Sequence, residues 1–137
     1  MAGYSGTPLV KKLGIKMGDR IFLENAPPGY LKLVAPLPQD VEVLTRLSAN
    51  IDVAHIFSTS KSQLERALKR VLPNLQADGA IWVSWPKKSA KVPTEVGEDT
   101  IRETAFPLGL VDIKVCAVDD TWSALKLVIR KKLRNNR

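Results

Sequence analysis

The residue types that most often carry chemistry are nearly missing from this 137-residue chain, which has one cysteine, Cys116, and one histidine, His55. A single cysteine excludes an internal disulfide framework and a thiolate-rich zinc site, and it fits a reducing compartment. A single histidine, set inside an apolar run, leaves a zinc centre or a His-dependent nucleophilic triad almost nothing to build from. His55 therefore reads as a packed core residue and Cys116 as an inert buried thiol. No apolar run approaches the roughly 20 residues a membrane-spanning helix needs, and Met1–Gly6 lacks the charged and apolar regions of a signal peptide. The expected location is the cytoplasm, without a membrane partner.

Acidic residues are also scarce in one place. The net charge is +7, but residues 130–137 hold five positive charges and no negative ones, so the rest carries 16 basic against 14 acidic residues. The body is near neutral and only the terminus is basic. Nucleic acid is thus an expected partner only through a solvated tail at 131–137, behind one domain at 1–130; the chain's 45% apolar content suffices for one core.

Apolar periodicity and turn residues predict the elements. A short helix from Thr7 ends at Gly14; Arg20–Glu24 is a strand, and Asn25-Ala26-Pro27-Pro28-Gly29 the loop that ends it. A short helical segment spans 29–36 and a strand 41–44. Ile51–Phe57 reads as a strand covered on both faces. Ser60-Lys61-Ser62-Gln63 has capping-box spacing before a helix over 61–76, bent by Pro73 and ended by Asp78-Gly79. A strand over 80–85, a helix over 97–108, and strands over 110–118 and 122–129 follow. Asp119-Asp120-Thr121 is too short a link for anything but an antiparallel hairpin. The alternation predicts a three-layer α/β domain with a mostly parallel sheet, right-handed crossovers and a C-terminal hairpin.

Ligands of open α/β sheets bind at the carboxyl ends of strands, near the switch in strand order. That places the candidate floor at Glu24, Asn25 and Ala26, at Ser58, Thr59 and Ser60, and at Trp85, Lys87 and Lys88. The competing reading of Ser58 and Ser60 is helix capping, and that of Trp85 with its lysines is a core-edge indole beside a solvated turn. Asp112, Lys114 and Asp119 are secondary candidates, because strand periodicity puts Asp112 and Lys114 on one face; the bland reading is an edge ion pair and a turn aspartate. Tyr4, between glycines, could fold over the sheet end, and Trp122 is a further aromatic candidate.

This order of elements over roughly 15–130 resembles the back half of the S-adenosylmethionine-dependent methyltransferase fold, a Rossmann-like sheet. In that family the first strand ends in an acidic residue and a Gly-x-Gly loop; here Glu24 is followed by two prolines and one glycine. The resemblance implies S-adenosylmethionine, but the loop departs from its pattern and no cofactor is expected. Gly3–Leu9, Lys12–Lys16, Trp85–Lys88 and Asp112–Asp119 with Trp122-Ser123 are similar to a bacterial family, domain of unknown function 3052, which implies no activity. The expected function is a non-catalytic protein binding a small anionic ligand or a protein partner; the alternative is a divergent methyltransferase using Glu24, Asn25 and Trp85.

Overall fold

The computed structural model describes residues 6–136. Six strands form one sheet: β1 (Arg20–Glu24), β2 (Glu42–Leu44), β3 (Ile51–Phe57), β4 (Leu75–Pro86), β5 (Leu110–Ala117) and β6 (Trp122–Ile129). Their order is β2-β1-β3-β4-β6-β5. The first four pair in parallel, and β6 is antiparallel to both β4 and β5. The predicted mostly parallel sheet with a terminal hairpin is present, but β6 inserts between β4 and β5, so β5 takes the edge. Because β1 lies between β2 and β3, the strand order reverses beside it, which makes the carboxyl ends of β1 and β3 the switch point.

Helices cover both faces. α1 (Leu9–Lys12) and α2 (Tyr30–Leu33) pack on one side with Ile21, Val53, Phe57 and Trp82. α3 (Lys61–Val71) and α4 (Glu98–Ala105) pack on the other with Ile56, Ile81, Leu125 and Leu127. α1 and α2 are single turns, shorter than their sequence spans suggest, and the indole N–H of Trp82 helps to pin α1 by donating to the Leu13 carbonyl at 3.0 Å.

Three expectations need correction. The helix predicted to reach residue 76 stops at Val71; Pro73, which has no N–H, sits in a 3-10 turn at Leu72–Asn74, and Leu75 already pairs with Ile51 as strand. Asp78-Gly79 is therefore part of a bulge in β4, not a helix stop. Val53 faces Ala80 although Ile51 faces Leu75, and a Cβ at Gly79 would sit 3.0 Å from the Asp52 carbonyl oxygen and 2.9 Å from the Leu75 side chain. Glycine permits the close approach. Second, Asp112 and Lys114 do not share a face. The register shifts between them, which breaks the two-residue alternation: Asp112 reaches Arg102 of α4 at 3.0 Å, while Lys114 lies opposite Lys126, which stands over Trp82 on the α1 side. Third, the basic terminus is not a free tail. Lys131–Asn136 is a 3-10 helix whose Leu133 packs against the core beside α4.

Candidate functional site

The carboxyl end of the parallel strands collects most of the candidate residues, and the structure divides them into separate environments. Trp85, Lys87 and Lys88 line a cavity of about 420 Å³, closed on its other side by Val92 and the stretch Thr94–Gly97 that leads into α4. Trp85 is half-buried against the α3 and α4 core and lines the cavity. The Lys87 N–H donates to the Thr121 carbonyl at 2.8 Å, which ties this loop to the hairpin turn. Thr94 shapes the opposite wall: its Oγ1 accepts the Val96 N–H at 2.9 Å and turns the chain before Gly97.

Ser58, Thr59 and Ser60 lie at the N-terminus of α3, outside the cavity lining. Ser60 Oγ accepts the Gln63 N–H at 3.4 Å, and Ser58 Oγ accepts the Ser60 N–H at 3.2 Å, so both serines act on the helix start as their capping reading supposes. The anion position at that helix start is taken by the chain itself. The Lys61 N–H donates to Glu95 Oε1 at 2.9 Å, and the Glu95 N–H donates to the Thr59 carbonyl at 2.9 Å. Glu95, which also lines the cavity, is a partner of the helix start that sequence reasoning missed, since 34 positions separate it from Lys61.

Glu24, at the end of β1, is engaged elsewhere: its Oε1 accepts from Arg70 Nη2 of α3 at 2.6 Å. Asn25 follows with φ of 58°, a left-handed conformation that asparagine tolerates, and Gly29 has φ of 84°. Ala26 packs into the α2 side. The turn offers few open amides, because Pro27 and Pro28 have no N–H, and β2 pairs with β1 only as far as Phe22. This loop departs from the Gly-x-Gly pattern that ends the first strand of the S-adenosylmethionine-dependent methyltransferase fold.

Of the secondary candidates, Asp119 Oδ1 accepts the N–H groups of Thr121 and Trp122, each at 2.8 Å, and so builds the hairpin turn. Trp122 meets Phe57 edge-on at 5.0 Å on the α2 side. Tyr4 falls outside the described residues.

On the α1 and α2 face of the sheet, opposite the core on which Trp85 packs, runs a buried polar chain that the sequence did not announce. His55 Nδ1 lies 2.7 Å from the Tyr30 hydroxyl and its Nε2 lies 2.7 Å from Ser84 Oγ. The ring stacks on Phe57 at 4.3 Å. Burial pushes the imidazole down to about 3 and the Tyr30 phenol upward, so both are neutral. The neutral ring donates from one nitrogen and accepts at the other, and the Tyr30 and Ser84 hydroxyls take the complementary roles. His55 is a core histidine, as expected, with two satisfied nitrogens.

A second cavity, of about 250 Å³, opens at the amino end, lined by residues that include Lys16, Asp19, Asp52, Asp78 and Lys126. Burial raises the Asp19 carboxyl and lowers the Lys126 ammonium. Part of this acidity is spent on the backbone, since Asp52 Oδ2 takes the Arg20 N–H at 2.8 Å and Asp19 Oδ2 takes the Lys16 N–H at 2.9 Å.

Solved structures share the fold at low identity. Aeropyrum pernix fibrillarin, with natively bound S-adenosyl-L-methionine, has a TM-score of 0.59 at 15% identity, covering 92% of this chain and 70% of its own. DhpI in complex with S-adenosylhomocysteine (SAH) has a TM-score of 0.63 at 10% identity, covering 90% and 83%. A protein described as a pericyclic reaction enzyme has a TM-score of 0.55 at 14% identity; 89% of this chain matches, over 39% of that one. The shared architecture is methyltransferase-like. No curated protein matches the sequence. The family described as protein of unknown function (DUF3052) matches residues 47–131, which runs from β3 through the whole hairpin and takes in Trp85, Lys87, Lys88 and Glu95, and this chain belongs to it.

Proposed function

We propose that this protein is a binding protein on a methyltransferase-like scaffold, and that it takes a small anionic ligand with a flat ring in the cavity between Trp85–Lys88 and Thr94–Gly97. One observation carries the reading. The two anchoring points that the fold offers at its switch point are filled by the chain's own groups, Glu24 by Arg70 and the α3 N-terminus by Glu95, whereas Trp85, Lys87 and Lys88 line a cavity. A ring stacks on Trp85, and Lys87 and Lys88 neutralise the charge it carries. The cavity wall supplies no paired nucleophile and base: its ionisable side chains are the two lysines and Glu95, whose carboxylate already accepts a backbone N–H.

The test is a thermal-shift screen against nucleotides, dinucleotides, S-adenosylmethionine and SAH, since a ligand that binds only the folded state raises the melting temperature. The expected hit is an anionic nucleotide whose effect disappears in Trp85→Ala, weakens in Lys87→Ala/Lys88→Ala and survives in Glu24→Ala. A second reading, a divergent methyltransferase, is favoured by fold similarity to a structure holding S-adenosyl-L-methionine. Stabilisation by SAH that Glu24→Ala removes would replace the first reading with the second.

A further inference from the structure

At the opposite end of the sheet from this cavity, the basic C-terminus and an exposed aromatic ring form one surface. Phe106, in the 3-10 turn Phe106–Leu108 after α4, is 57% exposed although it is a large apolar side chain. The Arg130 guanidinium lies over its ring, 4.8 Å from the centroid. Lys131 and Lys132 follow, both exposed and neither in an ion pair among the described residues. Arg134 Nε donates to the Ile129 carbonyl at 2.8 Å, which holds a third cation of the helix in place.

These charges are preorganised. The Arg130 N–H donates to the Gly109 carbonyl at 2.9 Å, the Leu133 N–H donates to the Arg130 carbonyl at 2.8 Å, and Leu133 packs so closely on Gly109 that a Cβ there would come within 2.8 Å. Gly109, at φ of 90°, ends the turn that carries Phe106, so ring and cations are fixed to the same corner. A free tail would have to be ordered on binding; this one is ordered already.

We propose that this corner binds single-stranded nucleic acid, with a base against Phe106 and Arg130 and successive phosphates on Lys131, Lys132 and Arg134. Stacking on an exposed ring beside a row of cations is how sequence-tolerant single-strand sites work. An anionic membrane fits less well, because the helix Lys131–Asn136 has one apolar residue, Leu133, and it faces the core and not the solvent.

The test uses the full chain, a fluorescent oligothymidylate of about 12 nucleotides, a duplex of equal length and phosphatidylglycerol vesicles. Anisotropy should report binding to the single strand, preferred over the duplex. Three to four neutralised phosphates should weaken it roughly 20- to 50-fold between about 50 and about 200 mM salt. Phe106→Ala should cost about tenfold without altering the salt slope, and the double variant Lys131→Gln/Lys132→Gln should flatten that slope by about 1.4. Phe106 and the lysines are at the surface, so these variants fold. No binding at about 50 mM salt, tighter binding to the duplex, an unchanged affinity in Phe106→Ala, or binding to the vesicles in place of the oligonucleotide would each overturn the proposal.

Discussion

The two faces of the sheet are built from different materials. The side under α3 and α4 is an aliphatic core of Leu64, Leu68, Ile81, Ile101, Leu125 and Leu127, which are fully buried or nearly so. The side under α1 and α2 stacks His55 on Phe57 with Tyr30 and Trp122 edge-on, runs the hydrogen-bonded chain from Tyr30 to Ser84, and ties Trp82 to the Leu13 carbonyl. The aliphatic face has long helices to supply burial; the other has two single-turn helices and holds its covering segments with directed contacts instead. Non-directional burial suffices where helices are long, and hydrogen bonds specify position where they are short.

The largest break should come on the aliphatic side. Leu68, fully buried, leaves a cavity when cut to alanine, and Leu68→Ala should lower stability by about 2–5 kcal/mol in urea titration. On the polar side, Ser84→Ala removes the partner of His55 Nε2 and leaves a buried ring nitrogen unpaired, which should cost about 1–3 kcal/mol. The same side carries a pH dependence. Burial holds His55 at about 3, below its ordinary 6.5, so the unfolded chain binds the proton more readily. Its contribution is complete above the unfolded value and is lost as pH falls from 6.5 toward 3, with a slope approaching ~1.4 kcal/mol per pH unit. His55→Phe should remove that slope, and a slope that persists in the variant would assign it to other groups. The smallest effect should be at the α3 N-terminus, where Glu95→Gln keeps a hydrogen-bond acceptor but loses the charge; about 0.3–1 kcal/mol should be lost, more at low salt than at high.

The candidate site was legible in part. The carboxyl-end rule led to the end of β4, and Trp85, Lys87 and Lys88 do line one cavity there. Capping chemistry accounted for Ser58 and Ser60, because it acts over two or three residues. Glu95 and Arg70 were not visible, since each meets its partner across the fold and nothing in the local pattern marks either. Asp112 and Lys114 misled because alternation assumes an unbroken strand, and one register shift reverses its parity.

The residues alone determined what depends on neighbours in the chain: the strands β1, β3, β4, β5 and β6, the hairpin at Asp119–Thr121, the start of α3 and the parallel character of the first strands. Only the tertiary structure decided that β6 lies inside the sheet, that Asp78-Gly79 is strand bulge, that the basic terminus is folded onto Gly109, and that Glu24 and the α3 N-terminus are already paired. Periodicity and turn chemistry are short-range, with an energy that adjacent residues set. Pairing of charges and of strands is long-range, and which partner wins depends on what the completed core brings within about 3 Å.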